Sequence, residues 1–206
     1  MVCVPEPIDI LRCGPAEWSE ILRRGARAWN AWRDDYPWII PDLTGIAPSV
    51  IECQLGPLTG GPVNLANARL RGARLGRATL SEANLEGADL SEADLTHARL
   101  DRANLSYANL RNANLDRADL SRARLMRADL SGANLGQAKG LMEGQLFGSI
   151  GNGLTVLPPH VERPETWPDP ASESRDERRA PGASATQLPR TRRLMSWLYA
   201  GQECEW

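Results

Sequence analysis

The chain has 206 residues, enough for one domain of ordinary size with tails. Only 5% of them are aromatic, with a single Phe, so large rings cannot fill the core and Leu and Ala must do so. The formal charge of −2 selects no acidic or basic partner, and the absence of a run of about 18 apolar residues argues against a membrane-spanning helix.

Residues 1–14 read as an N-terminal extension. Their sequence, MVCVPEPIDILRC and one further residue, lacks a basic region followed by an apolar run, so no secretory leader is expected. The four cysteines, Cys3, Cys13, Cys53 and Cys204, never fall at C-x-x-C spacing. They are expected to be reduced thiols of a cytoplasmic protein.

Residues 15–40 are expected to form an amphipathic helical cap. Over PAEWSEILRRGARAWNAWRD, Trp18, Ile21, Leu22, Gly25, Trp29 and Trp32 recur on one face of a helix spanning 15–34. Arg23, Arg24, Arg27 and Arg33 lie elsewhere on the wheel. Such a face covers the end of a core or, left free, meets a partner or a membrane. Residues 41–62 are expected to be an irregular first coil or linker.

From 63 to 140 the chain repeats. Leu65, Leu70, Leu75, Leu80, Leu85, Leu90, Leu95, Leu100, Leu105, Leu110, Leu115, Leu120, Leu125, Leu130 and Leu135 follow one another at every fifth position. Ala stands two residues before each leucine from Ala68 to Ala133, with Val63 opening the series and Ala138 continuing its beat. The residue between them is Asn six times, Asp four times, Arg four times and Thr once. On an α-helix five residues advance about 500°, which would spread the leucines over every face. On a flat strand they would alternate between two faces. One shared core therefore requires a corner every five residues, and four corners close a coil.

The pattern A-(N/D)-L-x-x, seen in ANLEGADLSEADL and ANLSYANLRNANL, resembles the signature of the pentapeptide-repeat family. The resemblance implies an all-β solenoid: a right-handed quadrilateral parallel β-helix of about four coils, with twenty residues per coil. Leu and Ala would point inward and the other three positions outward. The segment AWNAWRDDYPWIIPDLTG resembles the lead-in before many such arrays. In the family PDLTG joins the repeats directly. Here IAPSVIECQLGPLTGGP intervenes, leaving Leu43 out of phase with Leu65.

Residues 141–168 are expected to form a C-terminal cap, with a short helical turn over Met142 to Leu146. Leu154, Val156, Leu157 and Trp167 would close the last coil. Residues 169–206 are expected to be a disordered tail, rich in Pro, Ser, Ala and charge. A short helix over 191–200 would present Leu194, Trp197 and Leu198 behind Arg190, Arg192 and Arg193 to a partner or membrane surface.

No catalytic, metal or cofactor site is expected. Histidine occurs only at 97 and 160, and neither a phosphate-binding loop nor a nucleophile elbow is present. The outward positions carry what functional information there is. Residues twenty apart should stack, which aligns Arg77, His97 and Arg117 beside Arg99, Arg102 and Arg122. These six form a candidate basic strip for an anion or an acidic partner.

The resemblance also raises DNA mimicry, since some family members bind DNA gyrase by imitating duplex shape and charge. Between 62 and 140, however, nine acidic residues face twelve basic ones, a shaft of about +3, where mimicry needs strong negative charge. The expectation is therefore a non-catalytic protein-interaction scaffold. Gyrase mimicry and a membrane adaptor using helix 15–34 or tail 190–200 are the alternatives.

Overall fold

The computed structural model describes residues 15–46 and 61–168. The N-terminal extension, all four cysteines, most of the 41–62 linker and the tail after Pro168 lie outside the described residues.

The repeats wind into a four-sided tube. From Asn64 to Asp119, each residue preceding a leucine bridges in parallel to the residue twenty positions on, which fixes the coil length. One face carries Asn64, Asn84, Asn104 and Arg124; the next carries Arg69, Asp89, Asn109 and Asp129. The third carries Arg74, Asp94, Asn114 and Asn134, and the fourth Thr79, Arg99, Asp119 and Lys139. At every bridge two backbone bonds alternate. Asn84, for example, donates its N–H to Val63 O at 2.9 Å and accepts at its carbonyl from Leu65 N–H at 2.7 Å.

The β character is thinner than expected for an all-β solenoid. Each face contributes one isolated bridge, and no strand forms among the described residues. The reason is geometric, because the rest of each pentapeptide is a corner. After every leucine a four-residue turn closes with a bond such as Ala68 N–H to Leu65 O at 3.1 Å. The second residue after the leucine has positive φ in every repeat from Asn67 (φ 58) to Gly132 (φ 71), as a type II turn requires. Eleven of those residues are not glycine. The ladder overcomes a cost of roughly 1–2 kcal/mol for each.

The residue before leucine is chosen for the same corner. All ten Asn and Asp at that position accept, at Oδ1, the backbone N–H two residues on, as Asn104 does from Ser106 N–H at 3.2 Å. Inside, all fifteen repeat leucines and their paired alanines are buried. The tube is filled by one leucine per side per coil, each contributing roughly 1.5–3 kcal/mol of burial.

The expected single helix over 15–34 is two. Helix α1 spans Pro15–Arg23 and helix α2 spans Ala26–Asp35. They break at Gly25, whose φ of 92° and ψ of 173° lie in a region essentially confined to glycine. Trp18, Leu22, Trp29 and Trp32 are buried as the pattern requires. Arg33, placed by the wheel away from the apolar face, is also buried, because its guanidinium is used. It donates to Ile39 O and, at 3.2 Å, to Ala66 O.

Pro41–Gly45 is a displaced repeat. Asp42 bridges Arg69, twenty-seven positions on instead of twenty. Leu43 is fully buried, Thr44 N–H donates to Asp42 Oδ1 at 3.1 Å, and Gly45 takes the positive φ of 66°. The segment is a pentapeptide on the second face, one coil early.

At the far end a 3-10 turn, Glu143–Leu146, interrupts the array. The chain then returns to the second and third faces, where Ile150 bridges Asp129 and Val156 bridges Asn134. These spacings of twenty-one and twenty-two set a register different from the expected one. Ile150 and Val156 occupy the outward bridge position and are about half exposed; Leu154 is 72% exposed. Ser149 and Thr155 take the inward alanine slots instead, and their hydroxyls donate to Leu146 O at 2.6 Å and Leu130 O at 2.9 Å. Gly151 falls where a leucine would point. A Cβ there would overlap the ring of Trp167, which is buried and donates from Nε1 to Ser149 O at 3.0 Å.

Candidate interaction faces

The inward positions of the tube are filled by leucine and alanine, so the polar and charged side chains of the repeats lie on its outer faces and corners. Among the described residues no group of three or more His, Cys, Asp or Glu could hold a metal ion, and no helix is long and apolar enough to cross a membrane.

The six residues of the basic strip are all exposed. Arg77, His97 and Arg117 sit at positive-φ corner positions between the third and fourth faces. Arg102 and Arg122 do so between the fourth and first, with Arg99 on the fourth face itself. The strip is not uniformly basic. Arg102 pairs with Glu82 at 3.0 Å, Arg117 with Asp116 at 3.7 Å and Arg99 with Asp101 at 3.9 Å. Arg117 also donates from Nε to Gln137 Oε1 at 3.0 Å, one coil further. Exposed pairs of this kind contribute only about 0–1 kcal/mol each. Their main effect here is to offset the positive charge of half the strip.

Two bridge-position aspartates, Asp119 on the fourth face and Asp42 on the second, are shifted toward the ionised form. Asp119 sits below the usual carboxylate range, chiefly because it accepts from Ser121 Oγ at 2.6 Å and from Ser121 N–H at 3.0 Å, with Arg99 and Lys139 adding attraction. Asp42 is lowered in the same way by Thr44.

A second surface was not foreseen. Around the corner after the first face, Tyr107, Met126 and Phe147 line a cleft of about 610 Å³ with Glu86 and Arg124. It adjoins a cleft of about 430 Å³ lined by Glu143, Glu162 and Glu165, and both share Gly144 and Phe147. The signal was present in the repeats. Tyr107 and Met126 stand at the two variable positions after leucine, where polar or glycine residues are the rule. Their closeness to Phe147 depends on the 3-10 turn and could not be read from spacing.

The model of pentapeptide repeats matches residues 63–102 and 103–139 as eight copies. No curated protein sequence matches the chain. Among solved structures, a pentapeptide repeat protein of the Arabidopsis thaliana thylakoid lumen is 33% identical over 44% of this chain, with a TM-score of 0.35. The chain spans 62% of the length of that protein. A pentapeptide repeat protein of the cyanobacterium Cyanothece is 32% identical, over 57% of this chain and 82% of its own, with a TM-score of 0.38. HetL of the cyanobacterium Nostoc, involved in heterocyst differentiation regulation, is 29% identical, over 48% of this chain and 59% of its own, at a TM-score of 0.30. None of these indicates an enzyme family. With its fifteen leucines at a five-residue period and its twenty-residue coil, the chain belongs to the pentapeptide-repeat family, for which a right-handed quadrilateral β-helix is implied.

Proposed function

We propose that the chain is a non-catalytic scaffold that presents side chains to a protein partner, in the cytoplasm. One observation carries this reading. The inward positions are spent on leucine and alanine, while the outward positions are held in columns by a backbone ladder with two bonds per bridge. Such a surface is preorganised, so a partner meets side chains already fixed at the coil pitch of about 4.8 Å.

The ends support a scaffold of defined length. We assign α1–α2 and residues 141–168 the role of caps. A bare coil would offer unpaired backbone groups to further chains. At the first coil, Asn64 N–H donates to Asn30 Oδ1 at 2.8 Å and Asn64 O accepts from Trp29 Nε1–H at 2.6 Å. Burial of Trp18, Leu22, Trp29 and Trp32 also removes the apolar face that a membrane adaptor would need from this segment.

The test is affinity capture with the full chain and with two surface variants that leave the core intact. One replaces Arg77, His97, Arg99, Arg102, Arg117 and Arg122 by Ser; the other replaces Tyr107, Met126 and Phe147 by Ser. A scaffold requires a stoichiometric partner lost with one variant and kept with the other. Equal capture by both, or potent inhibition of gyrase supercoiling by the full chain, would replace this reading.

A further inference from the structure

We propose that the surface around Phe147 is the docking site of the chain's own C-terminal segment, residues 190–198. The inference is independent of which outside partner the scaffold serves.

The surface has an apolar centre. Phe147 is 84% exposed, and Met126 and Tyr107 beside it are 54% and 48% exposed. Side chains of this size left open together mark a contact surface. The adjoining cleft supplies an acidic rim from Glu143, Glu162 and Glu165, all exposed. Its one basic residue, Arg163, does not neutralise that rim. Its guanidinium donates to Asn152 O at 2.7 Å and Thr155 O at 3.0 Å, and lies over the Trp167 ring at 5.6 Å.

The sequence after Pro168 carries the complementary chemistry in a matching order. Arg190, Arg192 and Arg193 come first, then Leu194, Trp197 and Leu198. Three guanidinium groups answer three carboxylates, and three apolar side chains answer Tyr107, Met126 and Phe147. The chain enters this region beside the cleft, since Pro164, Glu165 and Thr166 line it. Twenty-one residues separate Pro168 from Arg190, a length that spans on the order of 25 Å as a coil. Tethering at that length sets an effective concentration on the order of millimolar, so a weak contact suffices. An outside partner that uses this face would have to displace the segment.

The test uses the full chain carrying a photoreactive benzoylphenylalanine in place of Trp197, mixed with isotopically labelled copies. Irradiation should give cross-links within one chain that map to Tyr107, Met126 or Phe147. Phe147→Asp should lower their yield at least about 5-fold, because a charge then faces the apolar side chains. The triple exchange Glu143→Lys, Glu162→Lys and Glu165→Lys should do the same by about 5-fold at low salt, with less effect at high salt. All four exchanged residues are exposed, so an unchanged melting temperature accompanies the loss. Cross-links scattered along the shaft, cross-links joining labelled to unlabelled copies, or yields unmoved by either variant would overturn the proposal.

Discussion

The shaft and its two ends solve the same problem by different means. In the shaft every backbone donor and acceptor of a bridge meets an identical coil above or below, so one pentapeptide rule serves fifteen times. At the ends the first face has no next coil, and side chains stand in there for peptide groups. On the first face the two ends mirror one another. Asn30 gives its side-chain N–H to Pro62 O at 2.9 Å and takes Asn64 N–H at Oδ1. At the other end Gln145 gives Nε2–H to Ala123 O at 2.9 Å and Leu120 O at 2.8 Å, and takes Met142 N–H at Oε1 at 2.8 Å. A primary amide has the donor and acceptor of a peptide bond without needing the period. The ends can therefore depart from the repeat while the ladder stays satisfied.

This contrast predicts that damage in the shaft acts through packing and damage at the ends through single groups. The largest effect is expected from Leu105→Ala, fully buried at mid-shaft. It should cost about 2–5 kcal/mol, seen as a lower denaturation midpoint. An unchanged midpoint would contradict an inward Leu105.

Next is Gly151→Ala, which displaces the Trp167 ring. Overpacking of this kind costs about 1–3 kcal/mol. Trp167 emission should shift to the red together with the loss, which the shaft variant would not produce. A variant as stable as the parent would place the indole elsewhere.

Trp29→Phe keeps an aromatic ring in a fully buried position and deletes the donor to Asn64 O. Asn64 is partly buried, so leaving its carbonyl without this donor should cost about 1 kcal/mol, the low end for an unsatisfied group. Hydrogen exchange should quicken in the first coil and remain slow in the middle coils; uniform quickening would refute a local role at the end.

The smallest effect is acidic. Asp119 has a folded pKa below its unfolded value, so its contribution is present above the ordinary carboxylate pKa of about 4 and is lost as pH falls through the lower folded value. Asp119→Asn should flatten the stability curve below about pH 4 and change little at pH 7, because Asn fills the same turn elsewhere in the array. A curve still as steep in acid would assign the acid sensitivity to other carboxylates.

How legible each part was follows from the range of the interaction that sets it. Leu65 to Leu135 could be assigned to the interior because a five-residue period leaves one geometry in which all of them are buried. The Asn and Asp bonds at the corners are as local as the period itself, since each reaches only two residues along the chain. Gly25 was misread as a passive member of a helix face, since a glycine on a wheel does not disclose its φ. Arg33 was misplaced because its acceptors, Ile39 O and Ala66 O, arrive only when the helix lies against the first coil. The register after Lys139 was missed because apolarity suggested Leu154 and Val156 as core, while the backbone ladder selected Ser149 and Thr155.

Sequence alone determined the tube, because a strict period repeats one local conformation and lets only one side of it escape water. The three-dimensional fold decided the ends, the offset of Pro41–Gly45 onto the second face and the cleft around Phe147. Each of these depends on contacts between segments whose separation obeys no period. Such contacts are selected by which unpaired backbone group lies within reach once the coils are stacked.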